Sequence, residues 1–376
     1  VERPRIVIAP DAFKGSAGAR DVAAAIAAGL RDVWGDAVEL IERPVADGGE
    51  GTVDVFLAAG AVARTATVSG PLGTPVAATY ALRDGCAVVE MAAASGLPLA
   101  GSALRIWDAT TRGTGELLRD ALDRGATRIV LGIGGSATND GGAGALAALG
   151  VRFLDASGAP LMPSPAGLRA LAAIDGSQLD PRLRATQIDV ACDVTNPLLG
   201  PNGASAVYGP QKGAEPDDVP ALDAVLARFA GCAAAATGRD LRALPGSGAA
   251  GGLGYALATF AGARLTPGFP LIAEACGLRE ALAGAAWCFS GEGRIDAQTL
   301  AGKVVDGVGA LARTAGVRVV AFGGSVDPGV EAELFARGVT CVPIVDAPLD
   351  LARAMREAPA LIRAAAARCA RLIRPA

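Results

Sequence analysis

Ser136, Thr138, Asn139 and Asp140 stand in a run that also places glycine at positions 132, 134, 135, 141, 142 and 144. Hydroxyl, amide and carboxylate groups set among glycines suit the binding of a phosphorylated ligand. Gly134 and Gly135 can take backbone angles closed to other residues and let a ligand approach the main chain. The run follows the apolar stretch RIVLG and precedes a segment with Leu146 and Leu149 on one side. It therefore reads as strand, turn and helix. A turn that opens into a helix aims free N–H groups outward, where phosphate can be held. Such turns are also ordinary structural joints in α/β folds, so the run gains meaning from others like it.

Several others exist. PDAFKGS carries Asp11, Lys14 and Ser16, with Lys14 beside a glycine and able either to reach a phosphate or to sit in solvent. ADGGEGT holds Asp47 and Glu50, three residues apart on flexible backbone. Two such carboxylates can converge on one hard cation, or serve as a turn and a helix cap. Asp193 ends the apolar strand QIDVACDV, where a carboxylate can be held rigid and tuned toward a base, or can cap the next turn. Lys212 lies in GPQKGA, and Glu292, Arg294 and Asp296 follow the apolar run AWCFS.

The elements that must position these groups show a rhythm. RIVIAP followed by DVAAAIAAGLRDV, with Val22, Ile26, Leu30 and Val33 on one helical face, is a first βα unit. Loops at the carboxyl ends of parallel strands are where such folds bind ligands. VELIERPV is a second strand. Residues 63–99 change texture to two or three strands with Gly-Pro turns, pairing locally and antiparallel. VRFLDASG reads as a hairpin. The βα rhythm returns near residue 285 with AWCFSGEGRID, a strand running into a loop, then QTLAGKVVDGVGALA as a helix. VRVVAFGGSV and VTCVPIVD are further strands, and LARAMREAPALIRAAAARCARLI is one long helix. The fold class is α/β in two domains. Residues 1–62 and 283–376 form one Rossmann-like parallel-sheet domain from both chain ends. Residues 63–282 form an inserted domain with a mixed or antiparallel sheet.

Composition narrows the chemistry. The 376 residues contain no histidine, which removes the commonest general base and metal ligand. Acid–base work falls to Asp, Glu, Lys, Tyr or Cys, and any metal must be a hard ion such as Mg²⁺. The seven cysteines are odd in number, show no CxxC spacing and read as buried free thiols in a reducing compartment. A net charge of −4 without basic clusters argues against nucleic acid or an anionic membrane as partner. The most apolar stretch, residues 248–263, is broken by glycines and falls short of a membrane span. No signal-peptide pattern opens the chain, so the expected location is cytoplasmic.

Glycine loops after strands, lysines and carboxylates, without histidine, are what phosphoryl transfer from a Mg²⁺-nucleotide requires, since that catalysis is mostly positioning and charge neutralisation. Neither GxxxxGK[ST] nor GxGxxG with a following acid is present.

APDAFKGS, VADGGEGT, TRGTGELL, GIGGSATNDGGAGALAALG, ACDVTNPLLGP, GPQKGA, GAAGGLG and SGEGRIDAQTLAGK, in order over residues 6 to about 345, resemble the glycerate kinase type I family. The resemblance implies two α/β domains with the active site in the cleft between them, and ATP-dependent phosphorylation of D-glycerate, usually at the 2-hydroxyl. Ala12 in PDAFKGS and Arg112 in TTRGTG depart from it slightly, which bears on substrate choice. On that basis ATP and Mg²⁺ are expected over the loop at 132–142, on Gly134, Gly135, Ser136, Thr138, Asn139 and Asp140. Lys14 is expected to neutralise phosphate charge, and Asp47 and Glu50 to hold or orient the metal. Asp193 is expected to take the proton of the attacking hydroxyl, with Asp296 as its rival. Arg294 is expected to bind the glycerate carboxylate bidentately, with Ser16 also at the substrate and Lys212 on either anion. Alternatives are a kinase of another small hydroxy acid, a dinucleotide-dependent oxidoreductase and a non-catalytic sensor. Association of the chain with itself, as a homo-oligomer, is left open.

Overall fold

The computed structural model describes residues 3–102 and 104–375. Its strands are β1 (Arg5–Ile8), β2 (Glu39–Glu42), β3 (Val62–Ser69), β4 (Pro75–Arg83), β5 (Cys86–Glu90), β6 (Arg128–Gly132), β7 (Arg152–Leu154), β8 (Ala173–Asp175), β9 (Gln187–Ala191), β10 (Arg264–Thr266), β11 (Trp287–Ile295), β12 (Arg318–Val326) and β13 (Val339–Pro343). The chain divides into two compact units. One comprises residues 1–47, 54–60 and 268–376, the other 48–53 and 61–267.

The first unit carries a five-stranded sheet in the order β13-β12-β11-β1-β2, with every pair parallel. Counted along the chain, that is the doubly wound order 2-1-3-4-5. Helix Ala19–Trp34 covers one face with Val22, Ile26 and Leu30 inward. Helix Ala358–Leu372 packs beside it, so closely that a Cβ on Gly29 would meet the Arg363 carbonyl at 2.2 Å. Phe289 and Phe322 stack in the same core.

This unit begins again at Gly268, not at residue 283, because helix Gly268–Ala275 packs on helix Val304–Thr314. The Phe269 ring occupies the space a Cβ on Gly307 would need. Strand β11 also runs further than the sequence pattern implied, through Glu292 and Arg294 to Ile295, paired with β12 throughout. Glycines on both strands allow this: a Cβ on Gly324 of β12 would lie 2.5 Å from the Gly293 carbonyl oxygen of β11. The C-terminal stretch is two helices, Leu351–Arg356 and Ala358–Leu372. They part at Glu357, and Pro359, which lacks an N–H, sits at the start of the second.

The second unit holds a six-stranded mixed sheet, β10-β9-β6-β5-β4-β3. β10, β9, β6 and β5 are parallel, and β5, β4 and β3 antiparallel. Val89, Leu117, Ile129, Leu131, Val190 and Leu257 form one core; Leu146, Phe153, Leu226, Phe229 and Tyr255 form another. The hairpin expected at VRFLDASG forms: Leu154 bridges Pro160 antiparallel and the Leu161 N–H donates to the Phe153 carbonyl at 2.8 Å. Asp155 closes its turn by accepting the backbone N–H groups of Ser157 and Ala159, and β7 also pairs antiparallel with the distant β8. Among the described residues, helix Asp218–Thr237 has the length and composition to cross a membrane. In the fold it buries Leu222, Val225, Leu226, Phe229 and Ala233.

Candidate active site

In the first unit, β1 has β2 on one side and β11 on the other. The strand order reverses there, and doubly wound folds bind ligands outside the carboxyl ends of strands at such a point. A pocket of about 640 Å³ opens there. Asp11 and Lys14 reach it from the loop after β1, Asp47 from beyond β2, Glu292 and Arg294 from β11, and Asp296, Thr299 and Lys303 from the turn that follows.

The charges are close enough to alter one another. Lys14 Nζ lies 3.5 Å from Asp47 Oδ2. Burial alone would lower the Lys14 ammonium, but Asp47, Asp11 and Glu292 outweigh it and hold its pKa above the ordinary lysine value. Burial and the neighbouring Asp47 push Asp11 up to about 7, against the Ala12 N–H that it accepts at 2.7 Å and the Lys14 charge. Burial likewise raises Glu292 to about 7, against the Thr299 hydroxyl, which donates to Glu292 Oε1 at 2.6 Å. Arg294 pairs with Asp296 at 3.0 Å, yet its side chain stays 76% exposed.

This donor set fits Mg²⁺. Asp11 and Asp47 are hard oxygen donors whose mutual repulsion a cation would relieve. Among the described residues no group of three or more His, Cys, Asp or Glu side chains could enclose an ion. Mg²⁺ needs no such cage, since it keeps several waters and is bound through one or two carboxylates plus substrate phosphates.

The glycine run after β6 belongs to the second unit. Gly134 and Gly135 are exposed, Ser136 is buried, and Thr138, Asn139 and Asp140 are fully buried. Asp140 accepts from the Thr111 N–H and hydroxyl and from the N–H groups of Gly142 and Gly144, at 2.8–3.0 Å. Burial pushes its carboxyl up and these donors pull it back. Lys212, 2% exposed, donates to the Thr138 carbonyl at 2.7 Å. Burial lowers this lysine to about 7 despite the pull of Asp140. Asn139 Nδ2 donates to Ser205 Oγ at 3.0 Å. Among the described residues, buried Thr138 Oγ1 and Asn139 Oδ1 have no hydrogen-bond partner.

Of the residues singled out in the sequence, Lys14, Ser16, Asp47, Arg294 and Asp296 line the one pocket. Glu50 and Asp193 are exposed residues of the second unit, Lys212 is interior to it, and none of the three lines this pocket. Asp11 and Glu292 also line it, and their burial, which the sequence does not display, is what marks them. Thr299 and Lys303 join them from SGEGRIDAQTLAGK, whose density of polar groups around glycines is the signal the sequence offers.

Comparison with known proteins bears on the assignment. Residues 6–374 match the model of the glycerate kinase family. A glycerate 2-kinase of Escherichia coli (strain K12) is 48% identical over 326 residues, 86% of this chain and 85% of that protein. A glycerate kinase of Bacillus subtilis (strain 168) is 47% identical over 356 residues, 91% and 92% of the two chains. The crystal structure of a Salmonella typhimurium LT2 protein named as a glycerate kinase 2 superimposes with a TM-score of 0.89 at 44% identity, covering 99% of this chain and 98% of that one. This chain belongs to the glycerate kinase family.

Proposed function

We propose that the protein transfers the γ-phosphoryl group of ATP to the 2-hydroxyl of D-glycerate, giving 2-phosphoglycerate and ADP. The observation that carries this reading is the convergence of Lys14, Arg294 and Lys303 with Asp11, Asp47, Glu292 and Asp296 on one pocket at the sheet's switch point. The Escherichia coli relative, named as a glycerate 2-kinase, supports the 2-hydroxyl as acceptor.

Lys14 and Arg294 supply positive charge where a transferring phosphoryl group spreads its own. Asp11 and Asp47 would hold Mg²⁺, which when bound would neutralise phosphate charge. Glu292, with a pKa near neutrality and its Oε1 fixed by Thr299, takes the proton of the attacking hydroxyl; a general base works best with a pKa near the operating pH. Asp193, two residues beyond β9, is the rival base. The Gly134–Gly135 turn remains a proposed contact for phosphate through its main chain. The enzyme acts in the cytoplasm on small molecules. An assay of ADP release tests the reading: formation must require both ATP and D-glycerate, and release from ATP alone, or none with both, overturns it.

A further inference from the structure

The pocket of the first unit is larger and less polar than a three-carbon acid requires. Its volume of about 640 Å³ falls inside the roughly 300–1,000 Å³ usual for small-molecule sites. Beside seven charged side chains, Asp296 and Lys303 among them, its lining includes an apolar wall of Ile344, Val345, Leu351, Ala354 and Met355. Glycerate carries a carboxylate and hydroxyls and has no apolar face to set against that wall, whereas a flat heterocycle has two.

Ile344 ties one part of the wall to the core of the unit, 2% exposed. Helix Leu351–Arg356 has no buried residue, and Leu351 is 75% exposed. Polar contacts fix that helix. Asp350 Oδ1 accepts the Arg353 N–H at 2.8 Å, and Ser16 Oγ donates to the Met355 carbonyl at 2.6 Å. A backbone fixed in this way, presenting apolar side chains to water at a pocket rim, gains free energy only when something apolar covers it.

We propose that this wall seats the heterocyclic base of the nucleotide donor, with the phosphates directed toward Lys14 and Arg294. The assignment rests on the kinase reading above and adds to it the subsite that recognises the donor. Ser16 then acts as a positioning residue, holding the wall through the Met355 carbonyl, and does not itself contact glycerate.

The chain has three methionines, of which Met91 is fully buried and Met162 lies far along the sequence with 70% exposure. Methyl-¹³C-methionine labelling of the full chain therefore gives a simple spectrum, with the Met355 signal assigned by Met355→Leu. Adenosine and a non-hydrolysable ATP analogue should each shift the Met355 methyl; inorganic tripolyphosphate and D-glycerate should not. In kinetics, Leu351→Asp should raise KM for ATP about tenfold or more, the equivalent of about 1.4 kcal/mol, and leave KM for glycerate within about twofold. Its thermal midpoint should match the parent's, since the side chain is mostly in solvent. A Met355 methyl that responds to glycerate and ignores adenosine overturns the assignment, as does a Leu351→Asp variant whose KM rises for glycerate alone. Failure of the kinase reading is seen separately, as absent ADP release by the parent enzyme, and the adenosine titration then still decides whether the wall binds a base.

Discussion

The ammonium nitrogen of Lys212 lies 2.7 Å from the carbonyl oxygen of Thr138, inside a unit where both side chains are shut off from solvent. A lysine so placed is part of the framework of the glycine run. Its folded pKa, lowered by burial to about 7 from 10.5, makes stability depend on pH. Between those values the unfolded chain holds the proton and the folded chain does not, so stability rises with pH across that window and is lost as pH falls through about 7. The contribution to the slope is at most about 1.4 kcal/mol per pH unit. Urea unfolding of the parent and of Lys212→Met at pH 6 and pH 9 should show a smaller rise in the variant.

Asp140 stands opposite in effect. It satisfies four buried donors at once, joining the Thr111 loop to the turn at Gly142 and Gly144. Asp140→Ala leaves those donors without an acceptor. Each buried unsatisfied group costs about 1–3 kcal/mol, so a loss of at least about 3 kcal/mol is expected in chemical denaturation. Asp140→Asn should lose less, since it keeps one acceptor oxygen.

Glu292 couples catalysis to stability with a definite sign. As a base it must be ionised, so kcat/KM should rise with pH through about 7. Glu292→Gln should lower kcat by roughly 10²–10⁴-fold and remove that limb. Because its folded pKa is raised, its stability contribution is present below the ordinary value of 4.5 and is lost as pH rises through about 7. At pH 8 the Gln variant should therefore be the more stable protein in urea while being the poorer enzyme. Asp193→Asn is the control: a loss of more than about tenfold in turnover with the Glu292 limb intact would move the base role to Asp193.

Gly115 tests close packing between helices. A Cβ at this position would sit 2.3 Å from the Ala145 carbonyl oxygen, on the contact between helices Arg112–Asp123 and Ala143–Ala148. Gly115→Ala should cost about 1–3 kcal/mol of stability by overpacking, read as a lower denaturant midpoint with an unchanged slope.

Much of this was legible in the amino-acid order. The alternation of RIVI with a helix bearing Val22, Ile26 and Leu30 announces a βα unit, and the local pairing of β3, β4 and β5 shows in their turns. Periodicity was a poorer guide where glycine decides the outcome. Gly291 and Gly293 look like loop residues, yet both lie in β11: a Cβ on Gly291 would meet the Phe322 carbonyl of β12 at 2.6 Å, and one on Gly293 the Phe13 backbone at 3.3 Å. The pocket was half visible. Lys14, Asp47 and Arg294 carry charges that draw attention, whereas Glu292 gains its meaning from burial and from Thr299 seven residues on, neither of which one-dimensional spacing displays. Thr138, Asn139 and Asp140 have the composition of a ligand loop but point into the interior. The same hydrogen-bonding groups that hold a ligand also hold a fold together, and residue type alone does not distinguish the two uses.

Phosphorus NMR of the reaction mixture is the most direct measurement. With ATP, Mg²⁺ and D-glycerate present, the expected spectrum gains the resonances of ADP and 2-phosphoglycerate in equal amount as those of ATP decline. A spectrum in which ATP persists, or in which phosphate appears on the 3-hydroxyl or free in solution, contradicts the account.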